Sequence, residues 1–231
     1  MAAFRFKQFA VEQDGVAMKV GTDGVLLGAW ANCAGAKRVL DIGTGTGVIA
    51  LMIAQRSDAQ SIVGIDIDDS AAACAAHNFA CSPWSATLRA EQSSAQAFDD
   101  EQFDFIISNP PYFVDSLLCP DSQRTTARHT TDLTFEDLDK AVCRLLDKGG
   151  KFALILPVEQ MERYISMTQL YLVRRCDVYP VVGGQVKRVM AEFAFEKGAD
   201  VVVENLAIER GQRGDYTEQY VALTKDFYLK F

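Results

Sequence analysis

Short apolar runs, glycine turns and helical periods alternate along the first two thirds of the chain. Segments 38–42, 61–66 and 103–108 are rich in β-branched and aromatic residues, and their length is that of buried strands. Residues 48–54 are apolar on nearly every face, which predicts a buried helix. Strands that alternate with helices in this way predict a mostly parallel sheet with helices on both of its faces.

The pattern changes in the last third. Thr134 and Asp137 have the spacing of a capping box at the start of a helix, and segment 151–157 after it predicts a fifth strand. Segments 172–179 and 189–196 then follow each other without a helical span between them. We therefore expect these two strands to be antiparallel, since parallel neighbours need a long crossover.

Composition narrows the class of protein. The chain has 231 residues, 49% of them apolar, which predicts one domain with a sizeable core. No apolar run has the length of a membrane span, and residues 1–7 lack a signal-peptide core, so we expect a cytoplasmic protein. The six cysteines form no CxxC pair and no cluster with the two histidines, which favours reduced thiols and no metal. The net charge of −8 argues against coating nucleic acid by bulk charge.

The first candidate binding feature is the turn after segment 38–42. Asp41 ends this strand, and Gly43, Gly45 and Gly47 give a G-x-G-x-G turn before the helix. The turn does not match the dinucleotide-binding motif G-x-G-x-x-G, because position 48 is Val, and it lacks the G-K-[ST] of a P-loop. Both observations weaken a dinucleotide or P-loop interpretation. A carboxylate that faces the turn repels a pyrophosphate and attracts an ammonium group. The alternative is that Asp41 only fixes the turn.

The next strand adds a nucleoside site. Asp66 ends segment 61–66 at about the spacing from the glycines at which an acidic residue binds a ribose diol. Ile67 follows it and is suited to cover an adenine face. The implied ligand is a nucleoside with a cationic amino tail and no phosphates, and S-adenosylmethionine has this chemistry.

The second candidate feature is Asn109-Pro110-Pro111-Tyr112, directly after segment 103–108. Two prolines stiffen the chain and keep the Pro110 carbonyl out of a local helix. The Asn109 amide oxygen and this carbonyl are two acceptors, and Tyr112 is a stacking plane. They suit a planar group that carries an NH2, which predicts catalytic roles for Asn109, Pro110 and Tyr112. The alternative is a strand-ending turn without chemistry.

In this order, the glycine motif, Asp66 and Asn-Pro-Pro-Tyr resemble the class I S-adenosylmethionine-dependent methyltransferases. The resemblance implies a Rossmann-like α/β fold with a mostly parallel, seven-stranded sheet and one antiparallel strand. Segments 18–30, 127–129 and 226–230 are similar to the bacterial family that methylates adenine N6 beside the anticodon of a valine tRNA. This closer resemblance covers nearly the whole chain and implies tRNA as the substrate and no obligate protein partner.

The resemblance also implies roles for particular residues. Lys19, Thr22 and Asn109 join the predicted cofactor site, although Lys19 and Thr22 could simply belong to a helix start capped by Thr22 or Asp23. Residues 1–36 are expected to close over the cofactor, and 197–231 form a C-terminal extension. The predicted substrate contacts are Pro111, Tyr112, Phe113, Arg124, Arg128 and His129.

Two questions stay open in the sequence. The candidates for a local basic face are Arg124, Arg128 and His129, then Arg174-Arg175, then Lys187-Arg188, and the alternative is scattered solvated charges. The same Asn-Pro-Pro-Tyr chemistry also suits a guanine-N2 rRNA methyltransferase or a methyltransferase of a protein glutamine amide. The second of these usually carries an N-terminal helical domain, for which about 35 residues before the glycine motif leave no room.

Overall fold

The structure is a computed structural model that describes residues 3–111 and 133–231. Two short strands, β1 (Phe4–Arg5) and β2 (Ala10–Val11), pair antiparallel near the N-terminus. The described part of the main sheet consists of β3 (Arg38–Ile42), β4 (Ser61–Asp66), β5 (Leu88–Gln92), β6 (Phe103–Ser108), β7 (Leu146–Leu156), β8 (Tyr171–Val181), β9 (Arg188–Ala194) and β10 (Val202–Glu209). The described helices are α1 (Thr22–Trp30), α2 (Val48–Arg56), α3 (Asp69–Ala80), α4 (Phe135–Leu145), α5 (Val158–Met167) and α6 (Glu218–Thr224).

The main sheet has the order β10-β8-β9-β7-β6-β3-β4-β5. β9 is antiparallel to both of its neighbours, and the other adjacent pairs are parallel. The mostly parallel α/β fold and the antiparallel β8–β9 pair are therefore confirmed. The expected number of seven strands is wrong, because β10 pairs parallel with β8 and makes eight in the described residues.

Helices cover both faces of the sheet, as the unbroken apolar strands require. Val39 and its same-face neighbours pack with α1 and α2 in one hydrophobic cluster. Leu40 points to the other face and packs with α4 and α5. Neighbouring residues of a strand thus belong to different cores, which explains why the adjacent residues Val39 and Leu40 of β3 are both apolar.

Side-chain caps begin α3 and α4, and the second of these caps lies where the sequence predicts it. Asp68 accepts a hydrogen bond from the Ser70 N–H at the start of α3, and Thr134 accepts one from the Asp137 N–H at the start of α4. The expected cap of α1 is wrong. Gly21 is its N-cap residue and no side chain caps it, because Asp23 forms an ion pair elsewhere in the chain.

The described residues show little sign of a membrane segment or a metal centre. None of the described helices is long and apolar enough to cross a membrane. Between them, residues 3–111 and 133–231 contain no group of three His, Cys, Asp or Glu placed to hold a metal ion. Five of the six cysteines lie in this part of the chain and are free thiols.

Candidate functional site

The three predicted motifs meet at the carboxyl edge of the sheet. β3 lies between β4 and β6, and the chain leaves β3 toward β4 and returns to its other side as β6. This is a topological switch point, where ligands bind in open α/β sheets. Asp41 pairs in register with Gly64 and Ile107, so Asp66 and Asn109 end the strands on either side of it.

The glycine turn has the backbone that the sequence requires. Gly43, Gly45 and Gly47 have φ values of 73°, 56° and 80°, a region that side chains rarely adopt. A Cβ on Gly43 or Gly45 would meet no atom within 4 Å, so open space lies beside both. A Cβ on Gly47 would stand 2.4 Å from the Phe79 ring. Gly47 therefore serves helix packing, whereas the first two glycines border free space.

Asp41 is a buried carboxylate with spare hydrogen-bonding capacity. Its side chain is 0% exposed, and its Oδ2 accepts a 2.7 Å hydrogen bond from the Thr44 hydroxyl. Its Oδ1 has no hydrogen-bond partner within the described residues. Burial raises the pKa of the Asp41 carboxyl to about 7, and the Asp66 carboxylate adds to the rise. The Thr44 hydroxyl and the more distant Ala50 N–H lower the pKa.

Asp66 is held in place by the backbone around it. Its Oδ2 accepts a 2.9 Å hydrogen bond from the Gly45 N–H, and its Oδ1 accepts a 3.0 Å bond from the Asp68 N–H. Each carboxylate oxygen has a second lone pair, so both retain acceptor capacity. Ile67 follows with half of its side chain exposed (50%). The Asp66 carboxylate thus joins the glycine turn to the end of β4.

Asn109 and Pro110 lie at the end of β6 with free acceptors. Among residues 3–111 and 133–231, neither the Asn109 side chain nor the Pro110 carbonyl forms a hydrogen bond. Asn109 is partly exposed, Pro110 is buried and Pro111 is exposed. Beyond this point the predicted substrate contacts lie outside the described residues: Tyr112, Phe113, Arg124, Arg128 and His129.

Helix α1 brings the N-terminal segment to this edge. A Cβ on Gly24 would be 3.8 Å from the Asn109 amide and 3.6 Å from Val48, the first residue of α2. Thr22 and Lys19 are exposed at or just before the start of α1. Both residues therefore lie within a few positions of Gly24, which is next to the Asn109 amide.

Two long-range contacts fix the ends of α1. Arg188, the first residue of β9, forms a 2.8 Å ion pair with Asp23 in the first turn. At the other end the Arg56 guanidinium donates hydrogen bonds to the carbonyls of Gly28, Ala29 and Ala31. A cation at a helix C-terminus satisfies its last carbonyls and interacts favourably with the helix dipole. Both ends of α1 are therefore held by arginines distant in sequence.

The candidate basic face does not form from Arg174 and Arg175. Arg174 pairs with Glu192 at 3.3 Å and Glu204 at 3.0 Å, and its guanidinium lies 4.1 Å from the centre of the Trp30 ring. Arg175 pairs with Glu162 and with Asp177, both at 2.7 Å. These arginines are neither scattered solvated charges nor a surface for an anion. They tie β8 to the elements around it.

Asn78 is a site residue that the sequence reasoning missed. It is 2% exposed on α3. Its Nδ2 donates to the carbonyls of Thr46 at 2.9 Å and Glu12 at 3.0 Å, and its Oδ1 accepts from the Glu12 N–H at 2.9 Å. It therefore links the glycine turn to the N-terminal segment. A lone amide in an alanine-rich helix was the signal that was available in the sequence.

Replacing Asn78 by Ala should destabilise the protein by about 2 kcal/mol, because buried backbone groups of Glu12 and Thr46 lose their partners. Urea unfolding monitored by circular dichroism measures this difference. The matched control is Asn32→Ala, because Asn32 is exposed and accepts only a 3.3 Å bond from Ala34. Equal stability of the two variants would contradict the linking role of Asn78.

Comparison with known proteins assigns the fold and site to a class. The sequence profile of the family described as "Methyltransferase small domain" matches residues 20–165. A predicted O-methyltransferase from Agrobacterium tumefaciens superposes with a TM-score of 0.66 at 18% identity, covering 88% of this chain and 96% of that chain. The ribosomal protein L11 methylase from Lactobacillus delbrueckii subsp. bulgaricus gives 0.54 at 18% identity, covering 80% and 83%. The protein therefore has the fold of these methyltransferases.

More similar relatives define the family within this class. A Bacteroides thetaiotaomicron protein is 47% identical over 98% of this chain and 97% of its own length. A Phocaeicola vulgatus protein is 46% identical over 98% of this chain and 97% of its own length. A Tolumonas auensis protein is 41% identical over 99% of this chain and 97% of its own length. All three carry the name tRNA1(Val) (adenine(37)-N6)-methyltransferase. The chain belongs to this family of methyltransferases.

Proposed function

We propose that the protein transfers a methyl group from S-adenosylmethionine to the exocyclic N6 of an adenine in tRNA. The adenine is position 37 of tRNA1(Val), the one named in the relatives. The observation that carries the proposal is identity of 41–47% along nearly the whole length of these chains. The free acceptors of Asn109 and Pro110 at the switch point supply chemistry that suits this reaction.

The residues at the edge of β3 and β4 fit the proposed cofactor. The unpaired Oδ1 of Asp41 is a buried acceptor that suits an ammonium group. The space beside Gly43 and Gly45 lets a ligand approach the backbone closely. Asp66 retains lone pairs for the ribose hydroxyls, and Ile67 presents an apolar surface beside them for the adenine. When bound, the cofactor supplies an electrophilic methyl group.

Asn109 and Pro110 would act on the amine that receives the methyl group. The lone pair of an adenine N6 is delocalised into the ring, which makes this nitrogen a poor nucleophile. Hydrogen bonds from its N–H groups to the Asn109 Oδ1 and the Pro110 carbonyl would turn the nitrogen toward tetrahedral geometry. They would also stabilise the positive charge that builds up there. Holding the amine in line for attack contributes a further rate gain by positioning.

The remaining predicted residues complete this proposal. Tyr112 stacks on the splayed target base, an interaction worth about 1–3 kcal/mol. Lys19 binds the cofactor from the segment before α1, and Thr22 binds it from the first position of α1. Residues 1–36 close over the cofactor, a role that is supported by the position of Gly24 beside the Asn109 amide. An adenine in an anticodon loop is already single-stranded, which lowers the cost of splaying it.

The proposal is tested by incubating the protein with labelled S-adenosylmethionine and separate pools of tRNA, rRNA and protein. We expect label in tRNA alone and N6-methyladenosine in its nucleoside digest by mass spectrometry. Label in rRNA as N2-methylguanosine, or in a glutamine side chain, would refute the proposed substrate and identify one of the two alternatives.

Asp41→Asn should stabilise the ligand-free protein against unfolding and weaken its binding of the cofactor. The folded-state pKa of Asp41, about 7, lies above the unfolded value of about 3.9, so the native state binds more protons between these values. The Asp41 carboxylate therefore lowers the free energy of unfolding as the pH rises from about 4 to about 7. Above about pH 7 this loss of stability is complete. We expect Asp41→Asn to raise the melting temperature more at pH 8 than at pH 5.

Calorimetry of S-adenosylmethionine binding provides the second measurement on this variant. Affinity should fall, because the amide cannot pair with an ammonium group as an anion does. The control is Asp139→Asn, because Asp139 is also buried but accepts hydrogen bonds from Tyr164 and Thr168 on α5 and just after it. This control should lose stability and keep its cofactor affinity. Unchanged affinity in Asp41→Asn would remove Asp41 from the proposed site.

A further inference from the structure

Two turns of the C-terminal part of the chain lie on the same edge of the sheet as Asn109. Val189 pairs with Leu156, so the antiparallel strand β9 begins where β7 ends. β8 is antiparallel to β9, and β10 is parallel to β8, so both end at this edge. The turns that follow them are 182–187 and 210–215. Most of this region lies outside the stretch matched by the family profile, which ends at residue 165.

Contacts connect these turns to each other and to the site. The Val182 N–H donates a 2.9 Å hydrogen bond to the Glu209 carbonyl, which joins the end of β10 to the first turn. The first turn ends at Lys187, and the next residue, Arg188, pairs with Asp23 of α1. The residue after Asp23 is Gly24, and a Cβ on it would be 3.8 Å from the Asn109 amide nitrogen. The first turn is therefore only a few contacts away from the proposed catalytic amide.

The first turn carries one exposed basic side chain, and the second carries two, Arg210 and Arg213. Lys187 ends the first turn and Arg213 lies within the second, and both are exposed. Within the part of the chain that the structure describes, neither side chain forms an ion pair. This distinguishes them from Arg174 and Arg175, whose charges are neutralised by carboxylates.

The acidic side chains in and next to the second turn form ion pairs or hydrogen bonds with neighbouring residues. Asp215 and Glu218 lie 3.2 Å and 3.6 Å from Arg210. Glu209 accepts a 2.8 Å hydrogen bond from the Gly214 N–H. These contacts shape the turn and partly offset its negative charge. The cations of Lys187 and Arg213 remain directed to solvent at an edge of an otherwise acidic protein.

The spacing of the strands gives the lateral distance from the two turns to Asn109 at the end of β6. β9 is two strands from β6 and β10 is four strands from it, which corresponds to roughly 10 Å and 19 Å at about 4.8 Å per strand. Successive nucleotides of one strand rise by about 3.4 Å. A lateral reach of this size corresponds to about three to six nucleotides. Phosphates flanking a target base lie at such distances.

We propose that Lys187 and Arg213 form a phosphate-binding rim that holds the backbone of the substrate tRNA a few nucleotides from the target adenine. This inference rests on the proposed function and adds to it the surface that receives the RNA. Two exposed cations suffice to orient a strand at a protein of net charge −8, because phosphate contacts fix register and need no base recognition.

The test is the double variant Lys187→Ala/Arg213→Ala. Binding of transcribed tRNA is measured by fluorescence anisotropy at several salt concentrations, and methylation kinetics are measured at one. We expect the slope of log Kd against log salt to fall by about 1.4 to 1.8, since two phosphate contacts are lost. KM for tRNA should rise about fivefold to thirtyfold. The kcat and the affinity for S-adenosylmethionine should stay unchanged.

The matched control is Lys148→Ala/Lys197→Ala. Both lysines are exposed, and they lie at the opposite edge, in the first half of β7 and after β9. This control removes the same charge and should leave the salt slope and KM as in the parent protein. Equal salt slopes and KM values for the two double variants would overturn the rim. If the parent protein makes N6-methyladenosine but the Lys187→Ala/Arg213→Ala variant keeps the parent's salt slope, only the rim is refuted. If the parent protein makes no N6-methyladenosine, the proposed function and the rim are both refuted.

Discussion

Replacing Asn109 by Ala should lower kcat by about 100-fold to 1,000-fold, the range observed when one preorganised group at a developing charge is removed. The side chain is partly exposed at the switch point, and its amide forms no hydrogen bond in the described residues. Its removal therefore costs the described part of the chain no internal hydrogen bond. Single-turnover methylation of tRNA with saturating cofactor measures the loss.

The affinity for S-adenosylmethionine separates this effect from damage to the fold. We expect calorimetry to give nearly the same Kd for Asn109→Ala and for the parent protein. The control Asn205→Ala removes an exposed amide on β10 that accepts a 3.3 Å hydrogen bond from the Tyr179 hydroxyl. It should keep full turnover. An Asn109→Ala protein that retains most of its kcat would refute the catalytic role.

Gly47→Ala should destabilise the protein by about 4 kcal/mol. The positive φ of 80° adds about 1–2 kcal/mol for any side chain. The new Cβ, 2.4 Å from the Phe79 ring, adds about 1–3 kcal/mol of overpacking. At this chain length, the melting temperature should fall by roughly 8–16 °C, which differential scanning calorimetry measures directly.

Two other glycines act as matched controls for this prediction. Gly35 has a φ of 81° and open space around its Cβ position, so Gly35→Ala should show the backbone strain alone. Gly45→Ala has the same open surroundings but borders the proposed cofactor, so it should lose S-adenosylmethionine affinity more than stability. If Gly47→Ala and Gly35→Ala melted at the same temperature, contact with Phe79 would not be the reason for the glycine.

The candidate site motifs that the sequence reveals are each contiguous in the chain. Asp41 with its glycines and Asn109 with its prolines are each encoded within a few residues, directly after an apolar strand. The carboxyl ends of parallel strands share an edge of the sheet. The register of β3 with β4 and β6 therefore brings these two motifs to the same edge.

The errors share a different cause. Thr22 or Asp23 looked like the cap of α1 because both residue types favour that position. In the structure Asp23 pairs with Arg188, 165 residues away, and Gly21 begins the helix without a side-chain cap. Arg174 looked available to an anion, but it is bound by Glu192 and Glu204 from neighbouring strands. No local pattern records such partners.

The sequence by itself determined the alternation of strands and helices, the glycine turn and the proline-stiffened acceptors, because these depend on backbone conformation and on side chains close together in the chain. Only the tertiary structure decided that β10 joins the sheet, that Asn78 ties the glycine turn to the N-terminal segment, and which basic residues stay exposed. The physical reason is that pairing between strands and between charges depends on which distant segments the packed core brings together.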